Sequence, residues 1–264
     1  MAKRLLTSFV GIIIFFAVVL SHRYVLYSAV ILLTVGMLFE MYRVMCVGRF
    51  LRGIGYFSAV LVCLGFIFGK QIFAPAAVLM IFMLAMISMH GKVTSKKVLA
   101  VGFVTLMISV FMSMLILTRQ NCDKYTVILP FVCAWLTDTG AFTAGSLWGK
   151  HKLAEKISPK KTVEGAIGGI VFSVIGSILY LFIMVFVMTS KTPSGIYILK
   201  FAVLGLLASV ISQLGDLSAS CIKRDFEKKD YGNILPGHGG LLDRFDSVLF
   251  AAPFVYYAVM HFIL

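Results

Sequence analysis

Charge is scarce in this chain, and negative charge scarcest. Only 13% of its 264 residues are charged, and 11 are Asp or Glu. An ordinary soluble domain carries about twice that charged share. With 60% hydrophobic residues beside it, the shortage excludes a soluble globular protein, whose surface needs far more charge. The five cysteines (Cys46, Cys63, Cys122, Cys133 and Cys221) are scattered, without the spacing of metal ligands. They read as small buried apolar residues and receive no role. No internal repeat, low-complexity run or soluble segment interrupts the chain, so residues 1–264 are expected to form one membrane domain. The apolar run from Leu5 to Leu20 follows Lys3 and Arg4 as a secretory signal would. It lacks a small-x-small cleavage site and further apolar runs follow at once, so it is read as the first span.

What the chain has in abundance is apolar runs of membrane length. They fall at about 5–20, 24–42, 54–69, 72–90, 98–118, 126–148, 164–189, 196–217 and 247–263. The expectation is an all-α, polytopic integral membrane protein of about nine transmembrane helices. Eighteen of the 24 basic residues then fall on one side, from Lys3 and Arg4 through Arg49, Lys97 and Lys161 to Arg244. By the positive-inside bias that side is cytoplasmic, with the N-terminus on it and the C-terminus outside. The net charge of +13 is accordingly read as facing anionic lipid headgroups rather than nucleic acid.

The acidic residues divide the chain. Up to Asn121 the spans hold only Glu40, and residues 1–121 read as packing scaffold. Nine of the eleven acidic residues come from Asp138 onward, which puts the chemistry in residues 126–264. Asp138 and Asp216 lie within apolar segments, where a carboxylate is costly and marks a functional site or an interhelical bond. If the helix around Asp216 runs on, Ser212, Asp216, Ser220 and Lys223 share one face, a polar stripe leading out of the membrane. Ala141, Gly145 and Gly149 read as a close-packing face of small residues. The loop after them, with Ser158-Pro159-Lys160-Lys161-Thr162-Val163-Glu164-Gly165, reads as a helix start. Ser158 or Thr162 would cap it, Pro159 would sit in the first turn, and Glu164 would face the dipole. Lys160 and Lys161 beside its free N–H groups could hold phosphate, or simply belong to a basic loop.

The densest polar block runs from Ser220 to Asp246, with five of the eleven acidic residues in 27 positions. Asp243 and Asp246, three apart, point the same way on a helix while Arg244 points elsewhere. With Asp216 they would make a hard-oxygen site suited to Mg²⁺ that still needs substrate phosphate. Asp246 could instead be only the N-cap of the last span. Gly237-His238-Gly239-Gly240 allows a close backbone approach to a ligand, or is a plain turn.

This block resembles the signature of the bacterial phosphatidate cytidylyltransferases, the CDP-diacylglycerol synthases. The residues that carry it are Ser220, Ile222, Lys223, Arg224, Lys229, Asp230, Gly232, Pro236, His238, Gly239, Gly240, Leu241, Asp243, Arg244, Phe245 and Asp246. Asp138-Thr139-Gly140-Ala141-Phe142 and Ser158 to Gly165 also look like motifs of that family. The resemblance implies transfer of CMP from CTP to phosphatidic acid by a homodimer in the bacterial inner membrane, with its active site on the cytoplasmic side. It implies Mg²⁺ at Asp216, Asp243 and Asp246, and K⁺ as a second cation. Lys223, Arg224 and Asp243 would be catalytic, and Asp138, Lys160, Lys161, Ser220, Asp230, His238 and Arg244 would bind substrate. Two other readings are a cation-coupled transporter, against which the absence of a repeat counts, and a related CTP-using lipid or polyprenol kinase.

Overall fold

The structure is a computed structural model that describes the backbone of residues 2–189, 192–234 and 239–263, and side chains from residue 9 onward except that of residue 189. Among the described residues the elements are α1 (Ala2–Leu20), α2 (Arg23–Val44), α3 (Arg49–Ile67), α4 (Phe73–Ser88), α5 (Ser95–Asn121), α6 (Leu129–Trp148), β1 (Lys152–Ala154), β2 (Ser158–Thr162), α7 (Val163–Thr189), α8 (Gly195–Asp225) and α9 (Leu242–Ala258). Seven of the described helices are long and apolar enough to cross a bilayer. The chain is an all-α, multi-pass membrane protein. At 16 residues, α4 reaches only about 24 Å, less than the ~30 Å hydrocarbon layer. Two compact units divide these elements: Met1–Cys122 with Phe226–Arg244, and Asp123–Asp225 with Phe245–Leu264.

In the first unit α2, α3 and α5 pack around Met37, Leu38, Tyr42, Val62, Cys63, Ile108 and Met112, all essentially without exposure. With no water to serve them, buried hydroxyls turn to the backbone of their own helix. Thr34 donates to Val30 O at 2.7 Å, Ser109 to Thr105 O at 2.7 Å and Thr118 to Met114 O at 2.8 Å. Gly69, at φ 74°, closes α3: Lys70 N reaches back to Gly65 O at 2.6 Å and Gly69 N to Phe66 O at 3.4 Å, the paired bonds of a Schellman end. Helix ends alternate as the basic bias predicts. Lys97 Nζ ties the first turn of α5 to Cys46 O of the α2–α3 loop at 2.8 Å. At the other end Arg119 and Gln120 of α5 donate to Ser21 O and Ile67 O at 3.3 and 3.0 Å.

The second unit is built on close contact between α6 and α7. A Cβ on Gly140 would lie 2.6 Å from Gly168 O, so the two backbones meet where only small residues stand. The packing reading is borne out at Ala141 and Gly145, since a Cβ on Gly165 of α7 would lie 2.7 Å from Ala141 O and 3.3 Å from Gly145 Cα, while Gly149 follows the end of α6. Serines tie α7 to α8, with Ser173 donating to Gly205 O and Ser177 to Phe201 O, both at 2.8 Å.

Three boundaries differ from the sequence-based reading. Ser158–Thr162 is a strand paired antiparallel with Lys152–Ala154, so Pro159 does not enter a helical turn and Ser158 does not cap. Thr162 does, its Oγ1 accepting from Gly165 N at 3.1 Å. α8 runs on through Ser220 and Lys223 to Asp225, so the expected polar loop begins as helix. α9 starts at Leu242, which places Asp246 inside the helix rather than at its N-cap.

Candidate active site

α8 supplies the spine of the polar cluster in the second unit. Its continuation keeps Ser212, Asp216, Ser220 and Lys223 on one face. Ser212 is fully buried, and Ser220 and Lys223 are 6% and 8% exposed. Asp216 forms an ion pair with Lys161, each side chain 25% exposed. Strand geometry explains why Lys161 alone does this. Consecutive side chains of β2 point to opposite faces, so Lys161 turns inward while Lys160 is exposed. Ser220 Oγ lies 3.5 Å from Asp216 Oδ1. At the end of α8, Arg224 Nε donates to Ile157 O, the residue just before β2, at 3.1 Å.

Asp246, 6% exposed on α9, has Asp216, Asp138 and Lys223 within electrostatic reach. Ser247 links two of these carboxylates. Its N–H donates to Asp246 Oδ1 at 2.8 Å, and its hydroxyl donates to Asp138 Oδ1 at 3.2 Å. Helices α6, α8 and α9 thus each bring one carboxylate to a neighbourhood that also holds Lys161 and Lys223. Three carboxylates and two lysines therefore meet there. Glu164 stands apart from this cluster. It accepts from the backbone N–H groups of Lys150 and His151 and from the His151 ring, so it orders the loop after α6.

The donor chemistry of the cluster suits Mg²⁺. Asp216 and Asp246 offer hard oxygen, and Ser212 Oγ on α8 is buried without a hydrogen-bond partner among the described residues. Among the described residues no three His, Cys, Asp or Glu side chains come close enough together to hold a metal ion. Mg²⁺ commonly takes one or two carboxylates and completes its shell with substrate phosphate and water.

Asp243 belongs to the first unit. Its Oδ2 accepts from Tyr231 N at 2.8 Å and Gly240 N at 3.2 Å, so it closes the turn that leads into α9. Gly239 in that turn has φ 81°, and Asp230 and Arg244 are exposed. His238 lies outside the described residues. The residue that sequence reading missed is Glu40. It is 1% exposed and accepts from Leu242 N at 2.8 Å. A lone carboxylate within an apolar span was the signal that could have found it.

Residues 2–262 match the family described as the cytidylyltransferase family. The chain belongs to the cytidylyltransferase family. Among similar family members, the phosphatidate cytidylyltransferase of Bacillus subtilis (strain 168) is 43% identical over 169 residues, covering 61% of this chain and 59% of that protein. The phosphatidate cytidylyltransferase of Staphylococcus haemolyticus (strain JCSC1435) is 46% identical over 136 residues, 52% of this chain and 49% of that protein. The chain thus spans about half to three-fifths of the length of these curated relatives.

Proposed function

We propose that this cytidylyltransferase-family chain transfers CMP from CTP to phosphatidic acid, releasing pyrophosphate and forming CDP-diacylglycerol. The observation that carries the reading is the cluster of Asp138, Asp216, Asp246 and Lys223 on membrane-spanning helices with Lys161 of β2. In the reaction an oxygen of the lipid phosphate attacks the α-phosphorus of CTP, and the bond from that phosphorus to the bridging oxygen of the β-phosphate breaks. The nucleophile is already an anion at neutral pH, so no general base is needed. The obstacle is repulsion between two anions, which positioned cations overcome.

Lys161 and Lys223 offset phosphate charge from within the cluster, and Arg224 does so from the end of α8. Asp216 and Asp246 would hold Mg²⁺, which when bound neutralises the triphosphate. Ser220 and Asp138 orient groups beside them. For Asp243 as a metal ligand, and for Lys160, Asp230, His238 and Arg244 as substrate contacts, the assignment rests on their place in the sequence pattern. The same proposal includes K⁺ as a second cation, a homodimer, and a site facing the cytoplasm across the bacterial inner membrane.

The test is direct. Purified chain in lipid nanodiscs with Mg²⁺, CTP and phosphatidic acid should yield CDP-diacylglycerol, identified by mass. Folded protein that yields none would refute the reading. Movement of labelled solute into proteoliposomes without CTP would favour a transporter instead.

A further inference from the structure

We propose that Glu40, outside the polar cluster, is a positioning residue that sets the geometry of the turn before α9 and, through it, of Asp243. Glu40 lies near the end of α2 and is 1% exposed. Its Oε2 accepts from the N–H of Leu242 at 2.8 Å, and Leu242 is the first residue of α9. The first N–H groups of a helix have no partner within it, and a negative charge is favoured there. A carboxylate on α2 therefore serves as the acceptor for the start of a helix 202 positions away in sequence.

The fit around this carboxylate is close. A Cβ on Gly240 would lie 2.7 Å from Glu40 Oε2 and 2.7 Å from Asp243 Oδ2, so the backbone of the turn lies between the two carboxylates. A Cβ on Gly232 would overlap Glu40 Oε1. One helical turn back on α2, a Cβ on Gly36 would lie 2.8 Å from Leu241 Cδ2. Gly36 and Glu40 thus share a face, one leaving room for Leu241 and the other holding Leu242. Asp243 follows directly, and the backbone N–H groups it accepts belong to the same two turns, at Tyr231 and Gly240.

Among the described residues, Glu40 Oε1 is buried and has no hydrogen-bond partner. Leaving half of a buried carboxylate unsatisfied is costly. Simple packing of α2 would be served better by an apolar side chain. What an apolar side chain cannot do is accept the Leu242 N–H.

The link from this turn to turnover rests on the proposed cytidylyltransfer; the link from Glu40 to the turn does not. The experiment therefore has two readouts on the full chain in nanodiscs, hydrogen exchange by mass spectrometry and CDP-diacylglycerol synthesis. Glu40→Ala should speed exchange in peptides covering Gly239 to Asp243 by roughly ten- to a hundredfold, the size of one lost charge-assisted hydrogen bond. Exchange in α3 and α5 should stay unchanged. It should lower kcat by a similar factor while KM for CTP stays within about twofold, the signature of a misplaced group rather than a lost substrate contact. Glu40→Gln, whose amide oxygen can still accept, should restore both. If Glu40→Ala does not accumulate, Glu40→Asp withdraws the acceptor by one methylene and should show the same local exchange. Wild-type exchange over Gly239 to Asp243 in these variants would overturn the proposal, as would an equal rise throughout α2, α3 and α5. A wild-type protein that makes no CDP-diacylglycerol would instead refute the proposed function and leave the exchange result to decide the role of Glu40.

Discussion

Lys161→Met removes the cation that faces Asp216 and leaves the side chain nearly isosteric. The wild-type cluster sets Asp138, Asp216 and Asp246 against Lys161 and Lys223, so the variant loses one of its two cations. Unit charges about 4 Å apart at an effective dielectric near 20 interact by about 4 kcal/mol. Each partner here is 25% exposed, and solvent reduces the net effect to about 1–2 kcal/mol. A divalent cation without nucleotide should therefore bind the variant roughly 5- to 30-fold more tightly, since 1.4 kcal/mol is tenfold. CTP should bind more weakly by a similar factor, because its phosphates lose a counter-charge. Mn²⁺ titration of the purified protein followed by electron paramagnetic resonance measures the first effect, and the KM for CTP the second. Folded variant that binds Mn²⁺ no better than wild type, with KM for CTP unchanged, would refute the argument that Lys161 and the metal compete for one carboxylate neighbourhood.

The opposite faces of β2 predict that Lys160→Met leaves KM for CTP within about twofold, while Lys161→Met raises it severalfold. Equal effects in steady-state assays would contradict the strand register. Gly140→Leu should lose folded protein, because overpacking costs about 1–3 kcal/mol or more and α7 backbone fills the space. Size-exclusion of a fluorescent fusion checks it, and a monodisperse wild-type profile would count against the close contact. Ser247→Ala keeps the N–H that serves Asp246 but removes the hydroxyl that donates to Asp138 and should cost about 1 kcal/mol, seen as a two- to tenfold fall in kcat/KM. An unchanged value would mean that the link does not order the site.

Local periodicity carried much of this fold. The spacing of Ser212, Asp216, Ser220 and Lys223 predicts one polar face, and α8 runs far enough to form it. The distribution of basic residues predicts which loops share an end, and the Lys97 and Arg119 bonds follow it. The β-hairpin escaped because a three-residue and a five-residue strand carry too little alternation to compete with a Ser-Pro-Lys-Lys-Thr run that looks like a helix cap. Without it Lys160 and Lys161 could not be told apart. Glu40 escaped for a different reason. Its partner is 202 positions away, and no local pattern relates a carboxylate in α2 to the first N–H of α9. Ser247, read only as the edge of the last span, acquires its bridging role from the approach of α6 and α9.

The most direct test of the central claim is one turnover of CTP labelled at its α-phosphate, with phosphatidic acid and Mg²⁺ in nanodiscs, wild type beside Asp246→Asn. The account predicts label in CDP-diacylglycerol with one pyrophosphate per product for the wild type, and a loss of at least about a hundredfold for the variant at equal folded yield. Label that stays in nucleotide with folded wild-type protein, or an Asp246→Asn variant that turns over normally across a Mg²⁺ titration, would contradict it.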